Sequence, residues 1–286
     1  MRVRFWGVRG SIAAPGAETA RYGGNTSCVE VQLPGGDPIV FDMGTGARVL
    51  GRELLQRPER AVQVFISHFH MDHVFGFPFF APAFAPSFKV SVSSPAFGGE
   101  ATRDRLGRYL NGLLHPLRMH DLPAPIEYGA VRPGRPVQVG EATVTPTQLV
   151  HPGGACGYVV EGGGRKVAYL TDSGPLSRPG EGLSGNLAPN SRERELIRLL
   201  RGADLVAMDT MFTESEYMEK LNWGHGYPEY SAALCRAAEV KTLALFHHSP
   251  DAEDDDLDRL SERWAGGLDG MKVILAREGA DVDLEG

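Results

Sequence analysis

Apolar and polar residues alternate over 2–8 (RVRFWGV) and again over 28–33 (CVEVQL), the period-two pattern of strands with one buried face. After a PGGDP turn, PIVFDMG at 38–44 is an apolar run ending in glycine, as in a strand buried on both faces. The period then changes. In TGARVLGRELLQ, 45–56, apolar residues recur near every 3.6 positions and predict a helix. VQVFISH at 62–68 and KVSVSSP at 89–95 are strands again. Between them, GFPFFAPAFAPSF at 76–88 carries three prolines, which argues against a regular helix. Residues 100–114 read as helical, and proline and glycine crowd 116–136.

The second half uses the same elements. VQVGEATVTPTQLVH at 137–151 and ACGYVVEGGGRKVAYLTDS at 155–173 read as hairpins, the latter turning at GGGR. A loop rich in Gly, Pro and Ser spans 174–190. RERELIRLLRGA predicts a helix, ADLVAMDTMF a strand, YPEYSAALCRAAEV a helix and KTLALFHHSP a last inner strand. A helix opening with aspartates follows, and MKVILAREG closes the sheet. Strands lead and helices follow in each half, with no linker between the halves. The expectation is one α/β domain over 1–286.

Composition narrows what such a domain does. The net charge is −7 with 23% charged residues, which argues against an extended nucleic-acid partner held by charge alone. A compact anion held by metal ions is still allowed. Cys28, Cys156 and Cys235 are far apart and lack CxxC spacing, as expected of reduced, buried thiols. The opening MRVRFWGVRGS lacks the apolar core of a secretion signal, and no stretch of about 18 apolar residues occurs. These features lead to the expectation of a cytoplasmic protein that does not span a membrane.

The chemistry concentrates in SHFHMDHVFG, 67–76. Of nine histidines in the chain, three fall here, with an aspartate among them. His68 and His70 follow a strand at i and i+2, so both rings can meet one ion. Asp72 and His73 can reach a second point nearby, and imidazole with carboxylate suits zinc, manganese or iron. Other segments offer partners where apolar strands stop. His151 ends TPTQLVH, Asp172 ends KVAYLTD and His247 ends TLALFH. Asp172 has two oxygens and can bridge two ions. His248 sits beside His247 in an extended segment, so the two face opposite ways and one of them is a ligand candidate.

HxHxDH, written here as His68-Phe69-His70-Met71-Asp72-His73, resembles the signature of the metallo-β-lactamase superfamily, and LVHPG, LTDSG and LFHHSP resemble its later motifs. The resemblance implies a four-layer αββα sandwich with a dinuclear site. By position, His68, His70 and His151 would hold one ion, Asp72, His73 and His247 the other, and Asp172 would bridge. Zinc is the expected metal, and the same ligands accept manganese or iron.

WGHGYPEYSAAL at 223–234 resembles the segment of ribonuclease Z and related phosphodiesterases in which a histidine assists the leaving oxygen. That assigns the role to His225. Gly226 stands where the branch usually has serine or threonine. FWGVRGS, RYGGNTSC and FDMGTG are similar to a cyclic-nucleotide phosphodiesterase-like subgroup. Asp42 is placed to support a metal-binding histidine. Asn25 and Thr45, the latter before free helical N–H groups, are candidates for holding an anion, and His248 for supporting the site.

The basic arm with which ribonuclease Z grips transfer RNA has no counterpart in 174–190. The expected activity is therefore hydrolysis of a small phosphodiester, such as a cyclic nucleotide, by a hydroxide between two ions, with Asp72 orienting it and His225 assisting departure. A lactonase or thioesterase, an RNA 3′-processing nuclease and an iron oxidoreductase are the competing readings. Phe75, Phe77, Phe79, Phe80 and Phe84 would form either a substrate wall, a homodimer face or core beneath the cluster. His115 and His120 lie in a loop that can approach the site from above or from a second subunit.

Overall fold

The computed structural model describes residues 1–96 and 99–284. The apolar runs assemble into two seven-stranded sheets. In the first, β1 (Arg2–Gly7), β2 (Cys28–Gln32), β3 (Ile39–Phe41), β4 (Ala61–Phe65), β5 (Lys89–Pro95) and β6 (Ile126–Val131) lie side by side in chain order. β3 to β6 are parallel, with Phe41 opposite Phe65 and Phe65 opposite Ser93. In the second, β7 (Val137–Val139), β8 (Ala142–Leu149), β9 (Ala155–Gly162) and β10 (Arg165–Leu170) run antiparallel. β11 (Leu205–Asp209), β12 (Thr242–Phe246) and β13 (Lys272–Leu275) continue it in parallel.

The sheets face each other across Val3, Phe5, Phe41, Tyr158, Tyr169 and Phe246. The Phe41 ring stacks on Tyr158 and on Tyr169 at 5.3 Å each, within the range of favourable aromatic pairs. The outer faces are covered by helices. Leu50 and Leu54 of α1 (Gly46–Leu54) join Phe77 and Phe80 on the first sheet. Leu196 and Leu200 of α4 (Ser191–Leu200) join Tyr230 and Leu234 of α6 (Pro228–Ala237) on the second. The layers therefore run helix, sheet, sheet, helix, the expected αββα sandwich. Among the described residues no helix is long and apolar enough to cross a membrane. The single-domain division over 1–286 remains a proposal, and residues 285 and 286 lie outside those described.

Local departures from the sequence reading have identifiable causes. The helix expected over 100–114 shortens to α3 (Thr102–Gly107). Asn111 Oδ1 accepts from the N–H groups of Leu113 and Leu114, an Asx-type turn that diverts the chain. The proline- and glycine-rich 116–136 contains edge strand β6, where Gly129 fits because a Cβ there would lie 2.5 Å from Ser93 Oγ. The strand expected to reach residue 212 stops at Asp209, whose carboxylate accepts from Met211 N–H. A short helix, α5 (Glu214–Glu219), follows behind a capping box of Thr213 and Glu216. After α7 (Asp254–Trp264) and β13, the chain crosses back and adds β14 (Asp281–Asp283) to the first sheet beside β1. The 174–190 segment is drawn in by buried Glu193, which accepts from Ser177 Oγ at 2.7 Å and from Asn190 N–H at 2.7 Å.

Candidate metal centre

The ends of β4, β8, β10, β11 and β12 open onto one rim, and the loops leaving them carry the chemistry. Asp42, Asp172 and His247 each leave their strands with φ between 49° and 62°. Non-glycine residues adopt this left-handed conformation at a cost of roughly 1–3 kcal/mol, and it collects at functional sites. Beyond β4 the chain turns into α2 (Met71–Val74), which carries Asp72 and His73 back under His68 and His70. Gly76 permits that turn, since a Cβ there would stand 1.9 Å from Gly44 O.

Three overlapping groups result, each with its ligand atoms within 4.8 Å of one another. They are His68, His70, His151 and Asp172; then Asp72, His73, Asp172 and His247; then Asp172, Asp209, His225 and His247. Asp172 lies between the first two. Its Oδ2 is 3.6 Å from His68 Nε2 and 3.5 Å from His151 Nε2. Its Oδ1 is 2.9 Å from His73 Nε2 and 3.0 Å from His247 Nε2. Asp72 Oδ2 is 3.0 Å from His73 Nε2 and 3.3 Å from His247 Nε2, and it accepts from Ser11 N–H at 2.8 Å.

These residues fit a pair of divalent cations. Buried ring nitrogens normally find a hydrogen-bond partner. Nε2 of His68 and Nε2 of His73 are buried without one, although carboxylate oxygens lie close to the latter. His70 Nδ1 and His151 Nε2 are 3.0 Å apart, with the rings edge to face. Lone pairs aimed at shared points, with carboxylates beside them, make the donor set that binds zinc, manganese or iron.

On His73, His151 and His225 one ring nitrogen is tied down, which fixes how each of these imidazoles faces the site, whereas His247 Nδ1 is buried without a hydrogen-bond partner. His73 Nδ1 meets Asp42 Oδ2 at 2.7 Å, and that carboxylate also accepts from Ser67 Oγ at 2.7 Å, Ser67 N–H at 2.6 Å and Tyr169 OH at 2.8 Å. His151 Nδ1 meets Gly224 O at 3.0 Å. Gly224 has φ of 83°, and a Cβ there would stand 2.5 Å from His151 Nδ1, so the rim closes this tightly only over glycine. His225 Nδ1 meets Asp209 Oδ2 at 2.8 Å, and the edge of Phe212 packs on the His225 ring at 5.6 Å.

Burial and charge pull the site's protonation in opposite directions. Burial pushes the His68 imidazolium well below its ordinary range, and the charge of His73 adds to this. Burial also opposes charge on His73 and His247. On His73 it is outweighed by Asp72, Asp172 and Asp42, and on His247 by Asp172 and Asp209, which raise His247 to about 10. Burial would raise the acids, yet histidine charge holds both Asp72 and Asp172 below the usual carboxylate range. In this arrangement protons on imidazole balance the carboxylates, a place that divalent cations can take.

Several sequence candidates lie elsewhere. The Asn25 amide bonds Glu278 Oε2 at 3.1 Å rather than facing the site. Thr45 and Thr26 exchange hydrogen bonds, each N–H to the other's Oγ1 at 2.9 Å, so the N–H thought free for an anion is occupied. His248 turns away, its Nε2 bonded to Ala276 O at 2.8 Å, and burial lowers it to about 4. His115 packs on Phe79 and His120 is exposed beside Asp121, outside all three groups. Phe77 and Phe80 are core, Phe84 is partly packed, and only Phe75 and Phe79 reach the surface. The sequence reading passed over Asp209, although LVAMD has the same form as the other site segments: an apolar strand ending in aspartate.

A family model described as a beta-lactamase superfamily domain matches residues 38–248, which include every member of the three groups. The chain belongs to the beta-lactamase superfamily. It is 25% identical over 285 residues to the ribonuclease Z of Brevibacillus brevis, covering 85% of each chain. Among solved structures it resembles the metallo-beta-lactamase fold protein YhfI from Bacillus subtilis, at 18% identity and a TM-score of 0.68 over 98% of both chains. Human tRNase Z, short form, matches at 18% identity and a TM-score of 0.66 over the whole of both chains. The fold is thus that of the metallo-β-lactamase group, and the protein is a hydrolase of that fold whose His/Asp cluster can hold metal.

Proposed function

We propose that this protein is a dinuclear metal-dependent phosphodiesterase acting on a small diester such as a cyclic nucleotide. The observation that carries the reading is Asp172 set between two histidine groups, with His225 held by Asp209 on the flank of the same site. His68, His70 and His151 would hold one ion, and Asp72, His73 and His247 the other, with Asp172 shared. Two bound divalent ions, zinc first among the candidates, would supply a nucleophile at neutral pH and electrostatic stabilisation of the phosphoryl oxygens.

The chain's own residues do the rest. With Nδ1 engaged by Asp209, His225 presents Nε2 as the atom that gives a proton to the departing oxygen, a contribution typically worth 10²–10⁴-fold. Asp209 also accepts from Ser173 N–H and Met211 N–H, so it is fixed independently of the ring it orients. The edge of Phe212 and the strands' buried ends restrict water around His225. Asp42 holds His73 through Nδ1, leaving Nε2 turned toward the two carboxylates.

A second reading, RNA 3′ processing, is favoured by the relatives named ribonuclease Z. Against it, residues 174–190 are bound to Glu193 and α6 rather than projecting as an arm. One zinc-loaded preparation tested on bis(p-nitrophenyl) phosphate, cyclic nucleotides and a transfer-RNA precursor separates the readings. Turnover of small diesters, lost in His225→Ala with metal retained, is the expected result. Precursor cleavage without small-diester turnover would replace the first reading with the second.

A further inference from the structure

Beside the candidate centre lies a cavity of about 170 Å³ lined by His68, Phe69, His70, Arg105, Pro152 and Gly153. It is smaller than the roughly 300–1,000 Å³ that encloses a whole small ligand, and suits one compact group. Arg105 is its one cationic wall among the lining residues, with a side chain only 15% exposed. The guanidinium lies over the Phe69 ring, 5.2 Å from its centroid, and is steadied by a long contact from Nη1 to Pro95 O at 3.4 Å. Neither this contact nor that of Glu100 with Nε uses Nη2, and a guanidinium binds carboxylate or phosphate through its N–H groups.

The charge on Arg105 is loosely balanced. Glu100 Oε2 is 3.9 Å from its Nε, whereas both oxygens of Glu100 are within 2.9 Å of Arg108 Nη2. The other enclosed arginines are held closely. Arg57 is paired with Glu30 and Glu53, and Arg9 donates to Ala252 O at 2.6 Å and Gly23 O at 2.8 Å. Across the cavity, Gly153 has φ of 79° and a Cβ there would meet nothing within 4 Å, so this wall leaves room. His68 and His70 line the cavity and also belong to the first histidine group, which places a cation next to the proposed reacting centre. In a chain of net charge −7 with three aspartates at the site, a fixed, half-enclosed cation here selects for negative charge on the ligand.

We propose that Arg105 forms an anion subsite that takes a second phosphate of the substrate, one beyond the scissile diester. This rests on the phosphodiesterase reading and narrows it to diesters that carry a further terminal phosphate. Arg105 acts in binding and specificity and takes no part in proton transfer.

The test uses metal-loaded wild-type protein, Arg105→Ala and Arg105→Lys, with metal content checked in each. Calorimetric titration with inorganic diphosphate and with orthophosphate is expected to show diphosphate weakened about 10- to 100-fold in Arg105→Ala, the size of one charge-assisted contact, and orthophosphate changed less than about threefold. Arg105→Lys keeps the charge without the fork and falls between. Equal weakening of both anions, or unchanged diphosphate binding, overturns the proposal. In a second arm, a nucleoside 2′,3′-cyclic phosphate is compared with its 5′-phosphorylated form. Arg105→Ala is expected to raise KM for the latter alone, with kcat unchanged. If the wild type hydrolyses neither diester, the phosphodiesterase reading fails, while the titration still decides the role of Arg105.

Discussion

Replacing Asp209 by Asn would separate the proposed proton-handling role of His225 from the proposed metal-holding role of the His/Asp cluster. Asp209 is fully buried, and its Oδ2 is 2.8 Å from His225 Nδ1 and 3.2 Å from the Ser173 N–H. Its Oδ1 accepts from Met211 N–H at 3.0 Å. Asparagine keeps the shape but has one acceptor, so an NH₂ group must face either the N–H groups of Met211 and Gly226 or the Ser173 N–H and His225 Nδ1. Two backbone donors on the Oδ1 side against one on the Oδ2 side keep the amide oxygen with Met211 and Gly226, and the charge-assisted bond to His225 is lost. Bonds to charged groups contribute roughly 1.5–3 kcal/mol. At about 1.4 kcal/mol per tenfold in rate, kcat on bis(p-nitrophenyl) phosphate should fall roughly 10- to 150-fold. Metal stoichiometry by elemental analysis should remain that of the wild type.

The double variant Asp209→Asn/His225→Ala should be no slower than His225→Ala alone, because Asp209 acts through that ring. Multiplicative losses would refute the arrangement. So would wild-type kcat in Asp209→Asn. Loss of metal in the single variant would instead place Asp209 among the ligands, beside Asp172 and His247.

Other perturbations probe the supports. Asp42→Asn weakens the hold on His73, and metal affinity by chelator competition should drop about 10- to 100-fold; unchanged affinity would free His73 from this dependence. Gly76→Ala drives a Cβ into Gly44 O, and the forced backbone shift should cost about 1–3 kcal/mol, lowering Tm by several degrees in a thermal melt; an unaltered Tm would contradict the close approach. Burial pushes all three thiols up, Cys156 to about 12, so the thiolate is scarce through pH 9. A disulfide-exchange reagent should find no reactive thiol in the native protein at pH 8 to 9 and three in denaturant. Rapid native labelling would show that one of them is accessible.

The sequence by itself picked out the segments that carry the candidate metal cluster and determined most of the fold. HFHMDH encodes its chemistry through local spacing, and His151, Asp172 and His247 each stand where an apolar run stops, a position visible without coordinates. Alternating and continuous apolar runs likewise marked most strands, because burial on one face or two sets their period. Tertiary structure decided which way each side chain faces and what it meets. Spacing alone left adjacent His247 and His248 unranked, and only the family resemblance chose His247. A left-handed φ at His247 and the carbonyl of Ala276 beside His248 separate them. Thr45 was read as a free helix start, but Thr26, nineteen positions away in sequence, occupies it. Asp209 and Arg105 acquire significance only from His225 and from the cavity beside His70, and edge strands β6 and β14 only from the neighbours that pair with them. Spacing along a chain fixes what neighbouring residues can share. Contacts between distant segments depend on strand order and on backbone turns, which one-dimensional patterning does not contain.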